Sequence, residues 1–261
     1  MLNYTRADTI LAFNLWRNSI YDKYLGSALG LFWAIGNPLI MFALYAFVFG
    51  FVLQVRLPGS EKTLDFVVWL ISGFGPWLAT VEAIMAATTS ITSASGMVKN
   101  MAFKTELLPI SASFVGLITL AVSLFFLLIM MALNGQYPSF YLIYLPVVAL
   151  VHFMLILSVS IWLSAINVFM RDLSIVLPNI LMVALFMTPI LYPIEAMPGP
   201  IQEISLLNPI FIIVEAYRDC LLNKSNPDFL GLIYVFLLST IIFFIGLRVF
   251  NRVKGYFESV L

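Results

Sequence analysis

Long apolar stretches that are almost free of charge alternate with short polar segments along the chain. A helix needs about 20 mostly apolar residues to cross a bilayer, and six stretches reach that length. They are residues 30–53, 66–92, 107–133, 140–169, 173–192 and 229–250. None alternates polar and apolar positions as the strands of a membrane barrel do. The pattern therefore predicts an all-α membrane protein with six transmembrane helices.

The basic residues predict the orientation, because cytoplasmic segments carry the excess of Lys and Arg. Six spans place both termini on one side, and that side holds Arg6, Arg17, Lys23, Lys99, Lys104, Arg171, Arg248, Arg252 and Lys254. The other side holds only Arg56, Lys62, Arg218 and Lys224. Both termini are therefore predicted to be cytoplasmic. No long polar insertion interrupts the plan, so residues 1–261 form one domain: a cytoplasmic amphipathic helix (1–29), a six-span bundle (30–250) and a cytoplasmic tail (251–261).

Two cytoplasmic segments lie outside the spans. Residues 8–25 mix apolar and basic positions and predict an amphipathic helix, with Trp16 and Arg17 suited to the headgroup level. A simple lead-in that anchors the first span is the alternative. Residues 93–106 predict a short helical loop whose Met101 and Phe103 can dock a soluble partner. A loop that only lies in the interface is the alternative there.

The external connection, residues 193–228, is too long for a turn and too apolar for a solvated loop. Its two apolar pieces, 204–207 and 210–214, are too short to span, and prolines separate them. Re-entrant or interfacial helices fit such pieces. A broken backbone at membrane depth is tolerated only where it is buried in protein or lines water.

Composition and motifs narrow the function. The chain is 62% hydrophobic and 10% charged with zero formal charge, which speaks against nucleic-acid binding. The single cysteine, Cys220, excludes an intrachain disulfide and a metal cluster built from cysteines. The single histidine, His152, speaks against a metal site built from histidines. The sequence has no phosphate-binding loop and no common hydrolase motif. We therefore predict neither catalysis nor a cofactor in this chain, although a multispanning enzyme that modifies lipids or glycans stays an alternative.

Polar residues inside the spans are few. Glu82 lies near the middle of the second span, where a carboxylate costs of order 2.5–3.5 kcal/mol on insertion scales, so it should face protein or water. Gly73, Gly75 and Pro76 are expected to break the same span. His152 is expected to form a hydrogen bond between helices.

Aromatic residues offer one further hypothesis. A ring with a polar handle gives a sugar a flat apolar face, so some of these side chains can line a glycan passage. The candidates are Trp33, Phe42, Tyr45, Phe186 and Tyr192. Packing against lipid or neighbouring helices is the alternative for each.

Four local patterns resemble those of one family, the membrane subunits of ABC-2-type exporters of O-antigen, capsular polysaccharide or teichoic acid. They are Lys23-Tyr24-x-x-Ser27-x-Leu29-Gly30-x-x-Trp33-x-x-x-x-Pro38; Phe103 to Glu106 with Leu108-Pro109; Arg171-Asp172 with Pro178 and Pro189-x-x-Tyr192-Pro193; and Asn208-Pro209 with Glu215 and Arg218. Lys104 stands where the family commonly has proline. The patterns follow the family's order and cover nearly the whole chain.

The resemblance, closest to O-antigen exporters, implies a bacterial inner-membrane homodimer served by two separate ATPase subunits that bind ATP and Mg²⁺. It implies that the N-terminal helix and the 93–106 loop contact those ATPases, through Lys99, Met101, Phe103, Lys104, Glu106, Trp16 and Arg17. It also implies re-entrant helices within 193–228 and a polysaccharide substrate on an undecaprenyl diphosphate carrier. Arg6, Arg17 and Lys23 can attract that diphosphate, or serve only as topology determinants. An ABC-2 exporter of a small lipid or drug is the alternative within transport.

Overall fold

The computed structural model describes residues 5–24, 29–55, 57, 62–101 and 103–261. Leu25, Ser27 and Arg56, which figure in the predictions above, lie outside these ranges. All regular structure in the described residues is helical. The α-helices are α1 Arg6–Tyr24, α2 Trp33–Tyr45, α3 Thr63–Ser93, α4 Ser95–Asn100, α5 Leu107–Ser113, α6 Val115–Leu133, α7 Leu145–Phe169, α8 Leu173–Met187, α9 Gly199–Ser205, α10 Pro209–Arg218, α11 Phe229–Val253 and α12 Phe257–Val260.

Five helical segments of the described chain are long and apolar enough to cross a membrane. They begin and end close to five of the predicted spans. α2 continues as a π-helix to Val52, α5 and α6 together form one segment, and a short 3₁₀ turn precedes α7. These agreements confirm the all-helical membrane class.

The predicted fifth span is shorter than expected. α8 has 15 residues, which is about 22 Å at 1.5 Å per residue, less than the roughly 30 Å of a hydrocarbon core. The helix ends at Met187 because Thr188 is extended and Pro189 has no N–H to continue the hydrogen-bond pattern. The predicted boundary at Tyr192 is therefore five residues too far.

The second span is continuous, and the expected break is wrong. α3 runs unbroken through Gly73, Gly75 and Pro76 for 31 residues. The glycines instead allow close packing, since a Cβ at Gly75 would lie 2.8 Å from the Ser123 Cβ in α6. Packing of α3 against α5, α6, α7, α8 and α10 makes it the central helix, and these neighbours support the helix across its proline.

Two hydrophobic clusters fill the described bundle. The larger one includes Phe42, Phe66, Phe74 and Tyr217 and extends from the centre of the bundle to its predicted external end. The smaller one includes Leu15 of α1 with Leu107 and other side chains at the predicted cytoplasmic end. α1 is therefore packed onto the bundle through Leu15, while Ile10, Phe13 and Tyr21 of the same helix stay exposed.

Candidate functional site

The start of α1 is tied to the cytoplasmic loop by an ion pair. Lys104 Nζ lies 2.7 Å from Asp8 Oδ2, which also accepts hydrogen bonds from the main-chain N–H and the hydroxyl of Thr5. The hydrogen bond from Lys104, followed by that from the Thr5 backbone, lowers the pKa of Asp8 from 3.8 to about 2. Asp8 therefore stays charged at neutral pH, and the pair holds α1 against the loop that follows α4.

The other end of α1 reaches a carboxylate of the second span. Lys23 Nζ lies 2.9 Å from Glu82 Oε1, and the Thr119 hydroxyl donates to the second carboxylate oxygen. Glu82 is 11 residues before the end of α3, about 16 Å along the helix axis. α1 therefore extends from the loop to the level of Glu82 in α3, where the ammonium group of Lys23 contacts the Glu82 carboxylate.

The residues predicted to dock an ATPase fall into two groups. Trp16 is partly covered beside the ring of Phe13, whereas Arg17, Lys99 and Met101 are exposed, Met101 by 59%. Phe103 packs against the smaller hydrophobic cluster, and the buried carboxylate of Glu106 lies 3.5 Å from Lys254 Nζ. The outward-facing members are thus available for a partner, while Phe103, Lys104 and Glu106 hold the loop in place.

The three basic residues proposed for the carrier headgroup differ in their surroundings. Arg6 and Arg17 are exposed on α1. Lys23 is held by Glu82. An incoming anion would therefore compete with a carboxylate for Lys23 but would meet Arg6 and Arg17 in solvent or lipid headgroups.

The aromatic candidates also separate by burial. Phe42 is 1% exposed and stacks on Phe126, with ring centroids 5.7 Å apart. Tyr45 packs against Phe74 at 4.4 Å and keeps part of its surface open. Phe42 is thus a core residue of this chain.

The remaining candidates lie at the surface of the chain. Trp33 is partly exposed at the start of α2. Phe186 is 48% exposed on α8. The Tyr192 hydroxyl donates to the Phe186 carbonyl oxygen at 2.6 Å and so holds the turn after α8. These three rings, with Tyr45, keep surface that another molecule can contact.

A hydrogen-bonded chain connects α10 to two spans through His152. The Thr80 hydroxyl donates to the Pro76 carbonyl at 3.0 Å and lies 2.8 Å from His152 Nε2. Because that hydroxyl proton is already used, Nε2 must donate, and Nδ1 is left to accept from the Tyr217 hydroxyl at 3.3 Å. The predicted interhelical role of His152 is confirmed.

Arg218, the last residue of α10, is 2% exposed among helices. Its guanidinium lies 3.7 Å above the Trp69 ring and donates to Glu215 Oε1 at 2.7 Å and to the Ile190 carbonyl at 2.8 Å. Gly73 makes the room, since a Cβ there would lie 2.6 Å from Nη2. One buried cation therefore joins α10, α3 and the turn after α8.

Other family-pattern residues shape the ends of helices. Asn208 Oδ1 accepts from the Ile210 N–H, capping α10, and its amide donates to the Thr188 hydroxyl. Pro209 occupies the first turn of α10, where its missing N–H costs nothing. The cap therefore fixes the start of α10 against the end of α8.

Four other residues of the patterns, Gly30, Pro38, Arg171 and Asp172, lie in or just before α2 and α8. Gly30 has a φ of +50°, which favours glycine, just before α2, and Pro38 is buried within α2. Asp172 is exposed immediately before α8. Arg171 Nη2 donates to the main-chain oxygens of Val260 and Leu261 at 3.5 and 3.4 Å. In the described ranges, no three His, Cys, Asp or Glu side chains lie close enough to hold a metal ion.

Comparison with known proteins identifies the family. Residues 11–222 match the family model described as ABC-2 type transporter. The chain belongs to the ABC-2 type transporter family. It is 26% identical over 241 residues to the O-antigen export system permease protein RfbA of Klebsiella pneumoniae, covering 92% of this chain and 90% of that protein. It is 25% identical over 253 residues to the protein of the same name from Myxococcus xanthus, covering 96% and 95%.

Family membership confirms the resemblance on which the sequence predictions depend. An ABC-2 subunit is a multi-pass membrane protein and a transport subunit, and the family implies an ABC ATPase as partner. Of the residues predicted to contact such a partner, Arg17, Lys99 and Met101 are the exposed ones in this ABC-2 chain.

Several residues of this ABC-2 chain escaped the sequence analysis. Thr119 and Trp69 supply contacts to Glu82 and Arg218, yet both look like ordinary span residues in the sequence. Asp8 was recognised as part of α1 but not as the partner of Lys104. One usable signal was the spacing of Trp69 and Gly73, which places a ring and a gap on the same helix face four residues apart.

Proposed function

We propose that this chain is the membrane subunit of an ATP-driven exporter that moves an O-antigen polysaccharide on an undecaprenyl diphosphate carrier from the cytoplasm to the periplasm. The observation that carries the proposal is the similarity over 92–96% of the chain to proteins named O-antigen export system permeases. The chain sits in the bacterial inner membrane with six spans, α8 being the fifth, and with both termini in the cytoplasm. α9 and α10 are the re-entrant helices of its external side.

The working unit is a homodimer with two ATPase chains. A polar polymer cannot cross hydrocarbon, so a water-bearing passage is needed, and two copies of a six-span chain are the smallest plausible enclosure. α8 supports this assembly because it is short and exposes apolar side chains on most of its surface, including Ile175 at 72% and Val183 at 59%. In the dimer, α8 and α2 face the second copy and the passage.

Trp33, Tyr45, Phe186 and Tyr192 then provide the glycan with apolar stacking surfaces. Phe42 is not part of this proposed passage, because its ring is covered within one chain. Weak stacking without tight hydrogen bonds lets a long polymer slide. The open aromatic rings, and not Phe42, are the residues that transport should depend on.

Deletion of the gene in the organism that makes the chain tests the cargo. Surface O-antigen should disappear while lipid-linked polymer accumulates inside the cell, and the wild-type gene should restore export. Restoration should fail when the partner ATPase carries a substitution of its phosphate-binding lysine. Normal surface O-antigen, together with lost export of a lipid or drug, would instead establish the alternative ABC-2 function.

Disulfide cross-linking tests the dimer. In a Cys220→Ser background, Val183→Cys should form a disulfide between two copies in membranes. Leu237→Cys on α11, which is similarly exposed at 56%, is the matched control and should stay monomeric. Cross-linking through Leu237→Cys but not through Val183→Cys would contradict an interface at α8.

A further inference from the structure

The residues after α11 fold back onto the loop between α3 and α5. A 3₁₀ turn over Lys254–Tyr256 leads into α12, and α12 packs against α4. Arg171 donates to the main-chain oxygens of residues 260 and 261, which holds the far end of this stretch beside the start of α8. We call residues 254–261 the α12 segment.

α4 cannot fix its own position. It has six residues, and its N-cap is Ala94, whose methyl group accepts no hydrogen bond. An isolated helix shorter than about 12–15 residues is marginal in water. The buried side chain of α4 is Val98, and it belongs to the smaller hydrophobic cluster together with Phe257 of α12. The orientation of α4 therefore depends on what fills that cluster.

Phe257 anchors the α12 segment in the smaller hydrophobic cluster. Its ring meets those of Phe250 and Phe169, with centroids 5.3 and 5.9 Å apart. Large aromatic side chains dominate the energetics of such clusters because they bury so much apolar surface. The Phe257 side chain is 0% exposed, so it cannot touch a partner protein. It acts only through the residues that pack around it.

The other end of the 93–106 loop is held by charge. The Glu106 side chain is 2% exposed, and Lys254 Nζ lies 3.5 Å from its Oε2. A buried carboxylate is unfavourable unless a cation or hydrogen bonds compensate it. Loss of the Lys254 charge would therefore drive Glu106 toward water and shift the end of the loop. The α12 segment thus supports the loop at two points, one apolar and one charged.

We propose that Lys254 and Phe257 are positioning residues for binding of the ATPase: they hold α4 so that Lys99 and Met101 face the partner. Lys99 and Met101 are exposed, and a surface that is ordered before binding loses less conformational entropy when the partner docks. The inference rests on docking of the partner ATPase at the 93–106 loop. It gives the α12 segment a role in transport although Phe257 is out of the partner's reach.

The mobility of the loop tests the positioning without the ATPase. A nitroxide on Asn100→Cys, an exposed position at the end of α4, is placed in a Cys220→Ser background and read by electron paramagnetic resonance on the full chain in nanodiscs. Lys254→Met and Phe257→Ala should each raise the mobile fraction about twofold or more, whereas Lys254→Arg should match wild type. Arg252→Gln, which removes an exposed arginine, is the matched control. A spectrum unchanged by both Lys254→Met and Phe257→Ala would overturn the proposal.

Affinity for the ATPase that co-purifies with the wild-type chain tests the consequence. Lys254→Met should raise the Kd about fivefold, as expected for a lost contact to a charged group, and Lys254→Arg should restore wild-type affinity. In a Glu106→Gln background, Lys254→Met should change the Kd less than about twofold, because the charge that Lys254 compensates is gone. A mobile loop with an unchanged Kd would overturn the proposal through its premise, since the ATPase would then dock elsewhere. Neither assay involves the cargo, so its failure leaves the proposed transport of O-antigen standing.

Discussion

Replacing Arg218 with leucine should destabilise the protein by about 3 kcal/mol. The substitution leaves the buried Ile190 carbonyl without its donor, at about 1–3 kcal/mol, and removes a cation held 3.7 Å above Trp69, worth about 1–2 kcal/mol when desolvated. Glu215 adds little, because its side chain is 39% exposed and water can solvate it. At roughly 2–4 °C per kcal/mol for chains of this size, the loss corresponds to about 6–12 °C in Tm.

Two further substitutions test the geometry behind that number. Arg218→Lys keeps the charge but loses the planar fork that reaches several acceptors, so its Tm should fall between wild type and Arg218→Leu. Gly73→Ala places a Cβ 2.6 Å from the guanidinium and 3.0 Å from Val214 Cγ1, and should also lower the Tm. Gly96→Ala is the matched control, because nothing lies within 4 Å of its Cβ position.

The assay is thermal unfolding in detergent, followed by the loss of the monodisperse peak in size-exclusion chromatography. The reasoning fails if Arg218→Leu unfolds within about 2 °C of wild type, a shift below 1 kcal/mol on the same slope. It also fails if Gly73→Ala is as stable as Gly96→Ala. Either result would mean that the turn after α8 does not depend on the buried cation.

Three further predictions concern α1 and the loop after α4. Asp8 has a pKa of about 2 in the folded chain against 3.8 unperturbed, so its charged form stabilises the protein above pH 4. The Tm difference between wild type and Asp8→Asn should therefore shrink as the pH falls from 4 to 2. A Tm difference that stays constant over this range would refute the stabilising role of the Asp8 charge. Glu82→Lys and Lys23→Glu should each lower the Tm and the free energy of unfolding. The double variant, which restores an opposite-charge pair, should recover about 1 kcal/mol of that free energy. If the effects of the two single substitutions simply add in the double variant, Lys23 and Glu82 are not coupled. Met101→Asp should weaken co-purification of the ATPase without lowering the Tm. Phe103→Asp should lower both the co-purification and the Tm, because Phe103 packs against the smaller hydrophobic cluster. Unchanged co-purification with Met101→Asp would show that Met101 is not part of the docking surface.

The sequence predicted the spans because the length of an apolar stretch directly reflects the thickness of the membrane. The ends of α3 and α7 lie within a few residues of the predicted boundaries. The continuity of α3 through Pro76 escaped prediction, since it depends on helices that pack around it and not on its own residues. Local rules therefore located the helices but overestimated how easily a supported helix breaks.

The polar contacts were less predictable because they join residues far apart in the chain. Glu82 was expected to face protein or water, yet its partner Lys23 is 59 positions away and belongs to a helix outside the simple spans. Arg218 was identified by its family pattern, but its contact with Trp69 follows from the packing of α10 on α3. Periodicity assigns a residue to a face, whereas tertiary packing chooses the partner.

The pairing of Lys23 with Glu82 also sets an order for biosynthesis. The ribosome makes Lys23 before Glu82 and makes Thr119 later still, so the first helix leaves the ribosome before its acceptor exists. Until the second and third spans are inserted, α1 must remain at the membrane surface, where water and headgroups solvate the ammonium group. The N-terminal helix is therefore translated first, but its contact with Glu82 is complete only when the second and third spans are in place.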